Sequence, residues 1–265
     1  MHAHLFDPYL PVSSPVHALD SRIKMALVVL FILGVALAPA GAWAAFVLFF
    51  STIIAAVILS GIPPLKILRR SVIAMPFALA AFPLLFTTAG VALASFHIGP
   101  WLFSTTAEGL ARFLSIALKS WISVQAALLL SATTPFTDLL LALRAFHMPQ
   151  LLVSVIGLMW RYLFVLADEA IRLIRAREAR SGADPGRRSG GGILWRARVT
   201  GGMAGSLFVR GFDRADKVYA AMLARGYDGE TRALPAPPVA PAQYAVLAAG
   251  VFWMWMIVLL AILVR

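Results

Sequence analysis

Two short stretches set one arginine among small residues at the end of a helix-like run: Ala179-Arg180-Ser181, followed by Gly182, and 45 residues later Ala224-Arg225-Gly226. One such arginine is ordinary chemistry. A cation favours the helix C-terminal dipole by about 0.3–1 kcal/mol, and an adjacent glycine supplies the left-handed cap. Two matched copies say more. Ahead of the second, Val218, Ala221 and Met222 fall at i, i+3 and i+4 with Arg225 at i+7, so the guanidinium stands at the end of an apolar stripe. An apolar flank and one fork-shaped cation suit a helix tip that docks in a groove and pairs bidentately with a carboxylate.

The other polar candidates are sparser. His2, His4 and His17 are too few on one arm for a specific metal site, and His97 and His147 read as ordinary loop residues. Arg112 and Lys119 lie seven apart on one face of an apolar run. Snorkelling accounts for Arg112 and a bundle carbonyl for Lys119; the competing reading is a polar contact on a substrate path. The chain has no cysteine, which excludes disulfides, thiolate metal sites and cysteine nucleophiles. GxxxxGK[ST] matches nowhere, so any ATP used is bound by another subunit. None of the twelve Asp and Glu falls inside an expected span, which weighs against a proton relay, an Asp-rich metal-diphosphate site and a sodium-coupled carrier.

The elements that must position these residues follow from hydropathy. The 265 residues are 61% hydrophobic and 13% charged, far more apolar than soluble domains, so the chain is read as an all-α integral membrane protein. Its formal charge of +11 belongs at a membrane surface and not on nucleic acid. No Asp, Glu, Lys or Arg occurs in the 41 residues between Lys24 and Lys66, enough for two spans turning at Pro39-Ala-Gly41, roughly 23–38 and 42–61. Further spans are expected at Val72 to Gly90, Leu110 to Ser131 and Tyr244 to Val264, about five in all. Of the 23 Lys and Arg, 15 lie between Pro135 and Arg232, so the positive-inside rule puts that region and the N-terminus in the cytoplasm and Arg265 outside. Leu151 to Leu166 is apolar, but crossing would carry the most basic segment outward, so it is set against the membrane face. Three helices are expected there: Asp138 to Phe146, Leu151 to about Ser181, and Ile193 to about Arg225. The resulting segments are a cytoplasmic arm (1–22), a four-helix membrane bundle (23–131), a cytoplasmic domain of long helices (132–234), and a proline-rich linker with the last span (235–265).

With HALDSRIKM (His17 to Met25) ahead of the first span, a Leu-rich hairpin, a central helical domain and two Ala-Arg-Gly-type motifs, the sequence resembles the transmembrane (T) components of energy-coupling-factor transporters, a division of ATP-binding-cassette importers. Most of the chain is covered; Ser181 departs from the commoner glycine. The resemblance implies that Ala179, Arg180, Ser181, Ala224, Arg225 and Gly226 couple to grooves on two ATPase subunits. It further implies no catalytic or cofactor site in this chain, ATP-Mg on the partners, a substrate-binding membrane protein (S component) and room for a small accessory membrane subunit in a bacterial inner membrane. The arm MHAHLFDPYLPVSSPVHALDSRIKM looks most like the cobalt-type branch. Nickel or vitamin import, a membrane scaffold or assembly factor, and a membrane enzyme are the competing readings.

Overall fold

The charge-free run folds as an α-hairpin in the computed structural model, which describes residues 8–88, 92–98, 101–180, 192–229 and 238–263. A one-turn helix α1 (Pro15–Ala18) precedes α2 (Ser21–Leu37); α3 (Trp43–Leu59) follows the turn, where Gly41 holds φ +86, a left-handed conformation that costs glycine nothing. Asp20 starts α2 as its N-cap, accepting from the Arg22 amide at 2.9 Å.

The expected third span is not one helix. Residues Ser71–Ala74 form a 3-10 turn between α4 (Pro64–Arg70) and α5 (Met75–Ala80), and α6 (Leu84–Thr87) is a single turn. One helix through Val72 to Gly90 would hold Pro76 and Pro83 in its interior, where each lacks an N–H and its ring clashes with a carbonyl one turn back. The loop expected beyond it contains two strands, β1 (Ala92–Ile98) and β2 (Trp101–Thr106), paired antiparallel with Ile98 opposite Trp101. His97 therefore lies in a strand opposite Leu102 and not in a loop. Thr106 closes the hairpin and caps α7 (Ala107–Thr133), accepting from the Gly109 amide at 3.1 Å. Then come α8 (Phe136–Ala145), α9 (Gln150–Arg180), α10 (Ile193–Ala224) and α11 (Pro241–Leu263).

Three described helices, α7, α9 and α11, are long and apolar enough to cross a membrane; α3 is a shorter apolar helix. The apolar part of α9, set against the membrane face from sequence, thus has the length and composition of a span. The chain divides into two compact units, Pro8–Ala142 with Ala236–Arg265, and Leu143–Pro235. In the first, α7 packs on α2, α3 and the short helices, and α11 on α2 and α3. Phe31 meets Phe49 edge-on with centroids 5.5 Å apart, and Val57, Ile122 and Ile257 fill the same core. Lipid tails are as apolar as these side chains, so packing and interhelical hydrogen bonds must hold the bundle. Trp121 donates to Ser71 Oγ (2.8 Å), Trp253 to Thr52 Oγ1 (3.1 Å), and the Gly41 amide to Ser115 Oγ (3.0 Å).

Candidate functional site

In the second unit α9 and α10 run antiparallel, because Leu166 adjoins Gly211, Glu169 pairs with Arg210, and Arg177 lies by Trp195. Neither helix has a buried residue. Glu169 joins them: its carboxylate accepts from Arg172 Nη2 at 2.7 Å on its own helix and from Arg210 Nη1 at 2.6 Å on the other. The Arg172 guanidinium, then that of Arg210, holds the Glu169 carboxyl below the usual carboxylate range.

Ala179 and Arg180 form the last two positions of α9 and are exposed; Ser181 lies outside the described residues. Ala224 ends α10, with Arg225 as its cap residue and Gly226 just beyond at φ +78. The Gly226 amide donates to Leu223 O (2.9 Å) and the Tyr227 amide to Met222 O (3.1 Å), the two bonds of a Schellman cap. Gly226 is thus required by backbone conformation, while Arg225 is exposed and forms no ion pair among the described residues. Val218 and Met222 of the expected stripe are half-buried and Ala221 is exposed. Because the helices are antiparallel, the two arginines close opposite ends of the pair; the fold does not bring them together.

The HALDSRIKM stretch sits elsewhere, in the first unit. His17 bridges Ser14 Oγ (2.7 Å) and Leu10 O (3.0 Å), and the Leu10 amide donates to Ala132 O at 3.0 Å. Lys24, only 7% exposed, donates to the neighbouring Thr133 O at 3.0 Å. The Asp20 amide reaches Gln243 Oε1 of α11 at 2.9 Å. The arm therefore supplies donors to the C-terminal carbonyls of α7, which a helix end leaves without intrahelical partners. His17 serves as a strut in that arm. No group of three His, Asp or Glu side chains converges among the described residues, and His2 and His4 lie outside them. Lys119 donates to Ala36 O at 2.9 Å, the bundle carbonyl expected of it, and Arg112 is exposed.

Sequence reasoning missed Glu169, Arg210 and Trp195. The i, i+3 spacing of Glu169 and Arg172 was visible, whereas the contact to Arg210 spans 41 residues and needed the helix crossing.

Long apolar helices and a basic two-helix unit with arginines at its ends define a multi-pass membrane protein. The chain belongs to the cobalt transport protein family, the cobalt-type branch of the T components of energy-coupling-factor transporters: the family's model matches residues 12–236. It is 33% identical to the cobalt transport protein CbiQ of Rhodobacter capsulatus over 183 residues, 66% of this chain and 72% of that one. Against the energy-coupling factor transporter transmembrane protein EcfT of Lactococcus lactis subsp. cremoris it is 28% identical over 238 residues, 85% of each chain. The nickel permease LarQ of Lactiplantibacillus plantarum is 32% identical over 116 residues, 44% of this chain and 40% of that one.

Proposed function

We infer that this chain carries ATP-driven motion from two ATPase subunits to a substrate-binding membrane protein, with cobalt ion as the cargo. The observation that supports it is the placement of Arg180 and Arg225, exposed, at opposite ends of one antiparallel helix pair. A two-fold ATPase dimer offers two equivalent grooves, and a single chain without that symmetry must present two tips of like chemistry to fill them. In this reading ATP-Mg is held and hydrolysed by the partners, the chain itself is not catalytic, and helices about 45 Å long act as levers.

Reversing the arginines tests the reading. Losing the partner of a buried charge pair costs about 3–5 kcal/mol, and like charge in the same groove adds to that. Arg180→Glu or Arg225→Glu alone should weaken ATP-dependent uptake while the complex survives through the other tip; the double variant should lose the ATPase in a pull-down. Normal assembly and uptake in the double variant would remove the assignment.

The proposal places the N-terminus and residues 135–232 in the cytoplasm of an inner-membrane protein. The native chain has no cysteine, so a single cysteine at Ser189 should be labelled only from the inside; labelling from outside overturns this topology. The similarity to the nickel permease favours nickel as the second cargo, and uptake of radiolabelled cobalt against nickel by the assembled transporter separates the two.

A further inference from the structure

Between α9 and α10 runs a groove of about 680 Å³. Arg172, Arg177, Arg180 and Arg210 line it, and Glu169, already paired with two of them, is the acid that faces them there. Four guanidinium charges against one carboxylate leave an excess of three. The floor between them is apolar, built from Leu173, Val199 and Met203. Trp195 stands at one end with the Arg177 guanidinium 6.0 Å from its ring centroid.

Both ends of this groove adjoin exposed apolar surface. On α9 the run Leu151 to Leu166, with Leu151 60% and Met159 66% exposed, gives way to the Arg-rich segment within about one and a half turns. At the other end Ile193 and Leu194 of α10 are each 88% exposed beside Trp195. Side chains of this kind, with a tryptophan and snorkelling arginines between them, fit the level where acyl chains meet headgroups, with α9 lying on the cytoplasmic membrane face. Cations over an apolar floor match a ligand with an anionic head and a hydrocarbon tail. A free anion would leave the floor unused, and a neutral lipid would leave the charge unmatched.

We propose that the groove between α9 and α10 binds an anionic phospholipid, its phosphate held by Arg172, Arg177 and Arg210 and an acyl chain laid along Leu173, Val199 and Met203. The residues assigned to the phosphate, Arg172, Arg177 and Arg210, belong to neither tip motif; Arg180 alone is shared, lining the groove at its edge, and Arg225 lies outside it. A bound lipid would tie the two helices together and set their depth in the membrane.

The test uses the full chain in phosphatidylcholine nanodiscs containing a minor fraction of dibrominated phosphatidylglycerol or dibrominated phosphatidylcholine. The quenching specific to Trp195 is the difference between wild type and Trp195→Phe. Each arginine near an anionic surface contributes a several-fold factor, so phosphatidylglycerol should be enriched about tenfold over phosphatidylcholine beside Trp195. Arg177→Gln, which leaves both Glu169 ion pairs in place, should reduce that preference, and Arg177→Gln with Arg210→Gln should abolish it. Equal quenching by the two lipids in wild type, or an undiminished preference in both variants, overturns the proposal. So does suppression of the preference by millimolar inorganic phosphate, which would assign the cations to a small anion. Loss of the Trp195 quenching on adding the ATPase subunits would assign the groove to a protein partner and overturn it equally. Failure of the coupling assignment would instead show in the Arg225→Glu variant, whose residue lies outside the groove lining, with this lipid preference unchanged.

Discussion

Replacing Lys24 by methionine removes one hydrogen bond where the N-terminal arm meets the end of α7. Methionine keeps most of the aliphatic length, so packing changes little and the deletion is mainly of the ammonium that donates to Thr133 O at 3.0 Å. Both partners are buried, Lys24 at 7% and Thr133 at 2% exposure, so water does not readily replace the lost donor. A buried carbonyl left unpaired costs about 1–3 kcal/mol. The lost cation at the helix C-terminus adds about 0.3–1 kcal/mol, and relief from holding a charge out of water offsets part of the sum. The net expected loss is about 1–3 kcal/mol, roughly one to two decades in the unfolding equilibrium. Unfolding of the detergent-solubilised chain by a denaturing detergent, followed by circular dichroism, measures it. Amide exchange at Leu10, whose N–H is bonded to the adjacent Ala132 O, should rise as well. Lys24→Arg, which retains donors, should lose less. If Lys24→Met is as stable as wild type and Leu10 exchanges no faster, the arm is not held as described.

Two further outcomes follow from side chains with opposite pairing. Gln125 is fully buried with neither amide atom hydrogen-bonded, so Gln125→Met should leave stability unchanged or raise it by about 1–3 kcal/mol in the same assay; a loss would show that the amide has a partner. Glu169 carries a depressed folded-state pKa, so its ion pairs with Arg172 and Arg210 are fully formed above the ordinary carboxylate value of about 4.3 and are lost as pH falls through the lower folded value. Spin labels on α9 and α10 should separate on acidification below that value in wild type and show no such pH dependence in Glu169→Gln.

The elements legible in the sequence are those whose cause is local. The turn at Pro39-Ala-Gly41 with the spans of roughly 23–38 and 42–61 on either side, the apolar runs of α7 and α11, and the ends of α9 and α10 each rest on a few adjacent residues. Composition alone proposed a span from Val72 to Gly90, since the run is apolar throughout; Pro76 and Pro83 overrode it because backbone donors count as well as hydropathy. The β1–β2 hairpin was missed for a related reason, a stretch read as a connection having found a partner only a turn away. Partnerships across the chain could not be read. Nothing near Lys24 announces Thr133, and nothing near Glu169 announces Arg210, because 109 and 41 residues separate them and only the fold closes the gap. Lys119 was legible as to kind of partner, a bundle carbonyl, and not as to which one.

The surface of α10 argues for partners independently of its arginine. Phe208, Phe212, Tyr219 and Leu223 are 69%, 61%, 57% and 50% exposed. At 100° per residue these four positions fall within an arc of about 60°, so they form one apolar ridge along the helix. A lone exposed phenylalanine needs no explanation, but four aligned large side chains leading toward a capped tip form a contiguous patch of the kind that marks an interaction site. Gly226 then has a definite part: its left-handed backbone ends the ridge abruptly and leaves Arg225 at the terminus. A helix stabilised for its own sake would turn that face inward against α9. Instead α9 receives only a thin, half-buried seam that includes Val199, Met203 and Gly211, fastened by the carboxylate of Glu169. The pair leaves its largest apolar side chains exposed, as the proposed coupling role requires if binding energy is to be spent on other subunits.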